Sequence, residues 1–425
     1  MNDNPLERDG FDGQTGMIIA RSFEKYYPAM AVRLAEKFPQ LRFEQTQHPA
    51  GMPITKAGEA AYAVLLAMLD GEVWKDTIID IFLAHVLTQN IAKLGANVDH
   101  LTIFMSFNDE RADNEVRKGD IPGAPDDELA VVQGQASFTE PVADMMAHVA
   151  KVDRYVDIDG HSFEFTEQLK ARGIEVISLT AAFKMLDRLK DQGYLNEDPA
   201  SGGLENVICG VDFGNLALTQ QISQRLKMAL AIIQKVRSPA LPGQESETKG
   251  KLIYGDVRGK RVILMDDMIS SGGTLKKTVE MLIAAGAAEI IVCGTHAVFD
   301  KDYYKTLSKL LSEPKVKIVM TTDTLPMKRP ERGHDRSIPY TITEEEIKKV
   351  EVFPMEPFIG EIVLALMQNH TAEEIRAILE AHIIEKKDGF AVYEEITGIK
   401  LERPKITHVY REGGRFEKLP EAVAG

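Results

Sequence analysis

Cysteine is scarce in this chain. Its two cysteines, Cys209 and Cys293, stand far apart with no C-x-x-C spacing, which excludes a disulfide framework and a sequence-legible zinc site. A reducing cytoplasm suits such a composition. Long apolar runs are missing too: the longest, Ala60 to Leu69, is half of the about 20 residues that a membrane span needs. The opening stretch, Met1 to Gln14, is acidic and polar with no signal-peptide pattern, so the expectation is a soluble protein that stays where it is made. Positive charge is also in deficit, with 50 Lys+Arg against 65 Asp+Glu for a formal net charge of −15. That balance repels a phosphate backbone unless basic residues cluster on one face, and none do. Nucleic acid is not an expected partner.

What is present is an ordinary globular inventory, 44% hydrophobic and 27% charged over 425 residues, enough for two or three domains. Short apolar runs alternate with helical-period segments. His100–Phe104, Tyr155–Ile158, Gly173–Ser178, Asn206–Gly210, Arg261–Met265, Glu289–Cys293 and Lys315–Thr321 read as strands. They are continuously apolar, as strands covered by helices on both faces are, and the alternation predicts a parallel α/β fold. Between two of them, Leu275, Val279, Leu282 and Ile283 recur at helical spacing and predict one buried face.

Two stretches break the pattern. Asp191–Glu205 is rich in turn formers and reads as a boundary or an insertion, and Ser238–Lys251, polar and without periodicity, reads as a mobile surface loop. Gly255 to Lys260 is one residue short of a phosphate loop and reads as a turn. Later, Thr343-x-x-Glu346 and Thr371-x-x-Glu374 are capping-box patterns that open helices. The segment after Glu385 carries no legible chemistry.

The most informative segment is Arg261 to Thr274, RVILMDDMISSGGT: a buried strand ending in two carboxylates, then a small-residue loop entering a helix. Acids at the carboxyl end of a parallel strand lie in the crevice where open α/β sheets bind ligands. Ser270, Ser271, Gly272, Gly273 and Thr274 would present backbone N–H groups at the positive end of a helix, a setting for phosphate. Paired acids beside a phosphate cup imply a phosphorylated sugar, with Asp266 and Asp267 accepting from a diol; a ribose 5-phosphate moiety fits. The bland alternative is an ordinary strand–turn–helix, which has no need of two carboxylates.

Asp266 to Thr274 resembles the phosphoribosyl diphosphate signature of type I phosphoribosyltransferases and ribose-phosphate diphosphokinases, and other segments favour the second family. Val152 to Ser162, with Asp159-Gly160-His161, is similar to its Asp-x-His segment; Gly210-Val-Asp212-Phe-Gly214 is similar to its Pro-Asp-x-Gly turn. Lys235-Val-Arg237 falls where it has a strand leading to a catalytic flap, and Gly294-Thr-His296 and Thr322 to Pro326 follow in order. The resemblance implies two tandem phosphoribosyltransferase-like domains with parallel sheets, over 15–178 and 179–350, followed by C-terminal helices and an extra tail over 351–425. It implies transfer of the diphosphoryl group of ATP to ribose 5-phosphate, with Lys235 and Arg237 catalytic, the Asp266–Thr274 loop on ribose 5-phosphate, Arg111, Asp113 and His161 on ATP, and His161 and Asp212 on Mg2+. It also implies a homo-oligomer whose nucleotide pocket is completed across subunits. The chain departs from the pattern at Arg111-Ala112-Asp113, where a glutamine is replaced, and in the early adenine hairpin, of which Arg42-Phe43-Glu44 and Asp70-Gly71-Glu72 are partial echoes. A phosphoribosyltransferase consuming phosphoribosyl diphosphate, or a non-catalytic regulatory homologue that binds ribose phosphate, are the alternatives.

Overall fold

The structure, a computed structural model, describes residues 15–37, 46–47, 53–54, 62–69, 78, 81, 100–108, 115–117, 129–132, 139–195, 203–211, 213–238, 247–270, 272–299, 303–325, 344–369, 371–400, 406–411 and 415–418. Two large sheets organise them. The first is all parallel and joins β1 (Thr15–Ile19), β2 (Tyr62–Leu69), β3 (His100–Asn108), β4 (Arg154–Ile158) and β5 (Glu175–Leu179) in sequential order. The second joins β6 (Asn206–Gly210), β7 (Ala229–Ser238), β8 (Glu247–Tyr254), β9 (Arg261–Met268), β10 (Glu289–His296), β11 (Val316–Thr322) and β12 (Val350–Phe353) in the order β8-β7-β6-β9-β10-β11-β12. Six of these strands run parallel, and β8 is an antiparallel edge.

Period-two geometry explains the continuously apolar strands. In β2, Val64, Leu66 and Met68 enter one core while Ala63, Leu65 and Ala67 enter another. In β9, Ile263 and Met265 join the same core as Val64, whereas Val262 and Leu264 face away. The two sheets therefore share one hydrophobic layer. The helix Glu356–Gln368 lies in it, buried from Phe358 to Met367 except at Glu361, as a helix apolar on nearly every side must be. Helix Ala182–Asp191 contributes Met185, Leu186 and Leu189 to this layer.

The predicted strands are all strands, and Leu275, Val279 and Leu282 are buried on the helix Gly273–Ala284. Residues 255–260 form a turn with left-handed glycines at Gly255 and Gly259. The Thr371–Glu374 capping box is present; Thr343 lies outside the described residues. The Ser238–Lys251 loop is a correction. Glu247 to Lys251 pairs antiparallel with β7, Lys235 opposite Gly250 and Arg237 opposite Thr248, so these five residues belong to an edge strand; residues 239–246 of the expected loop lie outside the described residues. The strand's polar composition concealed it because an edge strand needs no apolar alternation. A division at 178/179 falls inside β5 and one at 350/351 inside β12.

Candidate active site

The carboxyl ends of β4, β9 and β10 converge where the sheets meet, the position at which α/β sheets present ligand groups. β4 leads into Asp157-Ile158-Asp159-Gly160-His161. The chain turns there through Asp159, whose φ of +43° is left-handed, a conformation that Asp tolerates better than most residues. Ser162 then caps the helix Phe163–Ala171, its Oγ accepting from Phe165 N at 3.0 Å. Gly160 is required by space: a Cβ would lie 2.1 Å from Asp157 Oδ2.

From the second sheet, Asp267 faces this turn. Its Oδ2 is 2.5 Å from His161 Nδ1, a contact between residues 106 apart in sequence. Burial would raise the Asp267 carboxyl, but the His161 hydrogen bond and charge prevail and hold it at about 2. Asp266 has different partners, accepting from Asn215 Nδ2 at 2.7 Å and from the Asp267 amide at 3.1 Å. The diol reading assigned both carboxylates one task; in the structure Asp267 is turned to the histidine.

β10 supplies two further links. Thr295 Oγ1 donates to Asp159 Oδ2 at 2.6 Å, and Ala181 N donates to the same oxygen at 3.0 Å. Asp159 Oδ1 is buried with no partner, as is Asp157 Oδ1. Burial pushes the Asp159 carboxyl up to about 6 against the pull of these hydrogen bonds. His296 Nε2 lies 3.0 Å from Ile158 O, and its Nδ1 lies 2.8 Å from Thr324 Oγ1. Since a carbonyl can only accept, Nε2 carries the proton, and burial lowers this imidazole to about 4. It is a neutral brace between the sheets.

After β9, Ile269 N donates to His296 O at 2.8 Å. Gly294 lets Ile269 pack against it, since a Cβ there would lie 2.4 Å from Ile269 Cγ1. Gly272, left-handed at φ +71°, caps the helix Gly273–Ala284 with no side-chain cap, and a helix N-terminus of this kind is a setting for an anionic group. A cavity of about 70 Å³ opens beside this machinery, with Asp159, His161, Asn215, Asp267, Lys386 and Lys387 in its lining.

The structure thus gathers His161, Asp266, Asp267, Ser270, Gly272 and Gly273 in one region. Lys235 and Arg237 stand two apart on β7 and so share a face; their side chains, and that of Thr274, lie outside the described residues, as do Arg111, Asp113, Asp212, Ser271 and the two partial adenine echoes. Sequence reasoning missed Asp157, Asp159, Asn215, Thr295, His296 and Lys386 as site residues. Asp157 near the end of β4 and Asp159 just after it, flanking the apolar Ile158, were a visible signal; Lys386 had none, because its partner Asp157 is 229 residues away.

Residues 168–323 match the model of the phosphoribosyl transferase domain. The ribose-phosphate pyrophosphokinase of Campylobacter jejuni is 27% identical over 231 residues, 54% of this chain and 62% of that protein. That of Caldanaerobacter subterraneus is 31% identical over 173 residues, 41% of this chain and 48% of that protein. The chain is similar to ribose-phosphate pyrophosphokinases over about half of its own length. It spans less than two thirds of the length of these relatives. The crystal structure of phosphoribosylpyrophosphate synthetase from Mycobacterium smegmatis has the same fold, with a TM-score of 0.53 at 19% identity over 84% of this chain and all of that one. No helix among the described residues is long and apolar enough to cross a membrane.

Proposed function

We propose that the chain transfers the β,γ-diphosphoryl group of ATP to the anomeric hydroxyl of ribose 5-phosphate, giving phosphoribosyl diphosphate and AMP. The observation that carries this reading is the meeting of two differently equipped strand ends: the β9 acid pair with its phosphate-type loop, and the β4 turn that brings His161 onto Asp267. One half offers carboxylates and helix N–H groups to a sugar phosphate. The other offers a histidine and buried acids to a metal-bound polyphosphate. A phosphoribosyltransferase would use the first half, and its domain model is the one that matches residues 168–323; the His161–Asp159 half favours the diphosphokinase.

In this reading Asp266 accepts from a ribose hydroxyl, and the amides from Ser270 to Thr274 hold the 5-phosphate. Asp267 fixes the His161 ring through Nδ1, and His161 would be the imidazole that holds a metal or its bound water. The residues fit Mg2+ of the kind that keeps its waters and shares substrate phosphates: Asp159 lines the cavity, and its Oδ1 is buried and unpartnered. His161, Asp159 and Asp212 would hold the ion, which when bound offsets phosphate charge. Phosphoryl transfer needs alignment and charge neutralisation more than covalent help, and Lys235 and Arg237, carried on β7, would bring two cations to the transferring group. A homo-oligomer in the cytoplasm completes the proposal, on family resemblance. The test is AMP release from ATP: it should depend strictly on ribose 5-phosphate and fall sharply in Lys235→Ala and Arg237→Ala. AMP release indifferent to the sugar phosphate would overturn the reading.

A further inference from the structure

The segment 383–390 follows the two helices after β12, and nothing in its own sequence announced a role. It nevertheless lines the cavity. Ile383 bridges to Leu179 at the end of β5, and Ile384 N donates to Ser178 O at 3.0 Å. Gln221 exchanges two hydrogen bonds with the Glu385 backbone, at 2.8 and 3.0 Å, and Arg225 Nη2 donates to Ile383 O at 2.7 Å. Phe390 stacks on Phe213 with centroids 5.3 Å apart and planes 18° from parallel.

Two glycines make the fit specific. Gly389 lets the segment touch Phe213, where a Cβ would lie 2.0 Å from Phe213 O, and Gly160 leaves room for Lys386, whose Nζ would be 2.8 Å from a Cβ there. Lys386 Nζ donates to Asp157 Oδ2 at 3.1 Å and to Gly160 O at 2.5 Å. That ammonium is almost fully buried and committed. Its neighbour differs: Lys387 pairs with Glu385 at 3.3 Å, and both side chains are well exposed, at 41% and 72%. Such pairs are weak and screened, so a more highly charged anion in the cavity outcompetes Glu385 for Lys387.

Resting on the ATP-dependent reading, we propose that this segment is the polyphosphate-binding wall of the cavity: Lys386 locks it onto the Asp157–His161 turn, and Lys387 is the cation that meets the phosphates. The wall is provided by the same chain that carries the acids.

The probes are inorganic tripolyphosphate and ATP, titrated separately into the full-length protein by calorimetry, with ribose 5-phosphate as the control ligand. Lys387→Ala should weaken tripolyphosphate and ATP by about tenfold, the loss of one charge-assisted hydrogen bond, and leave ribose 5-phosphate affinity within about twofold; Lys387→Arg should restore both. Unchanged tripolyphosphate affinity in Lys387→Ala overturns the proposal, as does no binding by the wild type, or a parallel loss of ribose 5-phosphate affinity that marks a merely structural role. The two readings fail separately. AMP formation with an unaltered KM for ATP in Lys387→Ala removes the wall and leaves the activity standing, whereas Lys387-dependent tripolyphosphate binding without AMP formation does the reverse.

Discussion

Asp159→Asn should stabilise this protein at pH 8 and do so much less at pH 4.5. The Asp159 side chain is 3% exposed, and burial raises its carboxyl from an ordinary 3.8 to about 6, more than the hydrogen bonds from Thr295, Thr180 and Ala181 pull it back. A folded-state pKa above the unfolded one means that the folded protein binds the extra proton between about pH 4 and 6. The associated stability is fully present below pH 4 and lost as pH rises through 6. Two units at 1.36 kcal/mol each is about 3 kcal/mol. In the asparagine variant the amide oxygen can take the place of Oδ2 and accept from Ala181 and Thr295, and Nδ2 replaces the oxygen that already lacks a partner, so the cost of that orphan group stays similar at both pH values. Urea unfolding of wild type and variant in chelator, at pH 4.5 and pH 8, isolates the difference. A variant advantage that does not grow by at least about 1.5 kcal/mol between the two, half of the figure worked above, refutes the reasoning. The same substitution should abolish activity, since on this account the protein tolerates a costly buried carboxylate because a bound cation needs it.

Two more expectations concern the same turn. Asp267 is depressed to about 2 by His161, so the stability from this pair is present above about pH 4 and lost as pH falls toward 2; Asp267→Asn should flatten the acid limb of the unfolding curve in that window, and an identical limb would contradict the pairing. Gly160→Ala should force Asp157 and Lys386 apart and cost about 1–3 kcal/mol, with KM for ATP rising more than that for ribose 5-phosphate; wild-type urea midpoints would show that the 2.1 Å contact is relieved elsewhere.

The sequence made the sheets legible wherever both faces of a strand are buried, because Val262 to Met265 or Ile290 to Cys293 must then be apolar without a break. It concealed β8, whose residues from Glu247 to Gly250 lie on a sheet edge where the pairing with β7 comes from backbone hydrogen bonds and not from side-chain burial. β1 is only five residues long, TGMII, too short for its period to speak. At the site, Asp266 and Asp267 were visible because two adjacent acids at a buried strand end have few structural uses. Their separate tasks were not, since His161 reaches Asp267 only through the meeting of two sheets. The hidden contributors share this cause. Thr295 and Lys386 act on residues 136 and 229 positions away, and no local pattern encodes such distances.

The most direct test of the central claim is phosphorus NMR of the full-length protein with Mg2+, ATP and ribose 5-phosphate, which follows the β and γ phosphorus atoms as one unit. The account predicts AMP and phosphoribosyl diphosphate in equal amounts, the β and γ phosphorus atoms arriving together on the anomeric oxygen. Formation of ADP, or of inorganic diphosphate with the sugar unmodified, would contradict it.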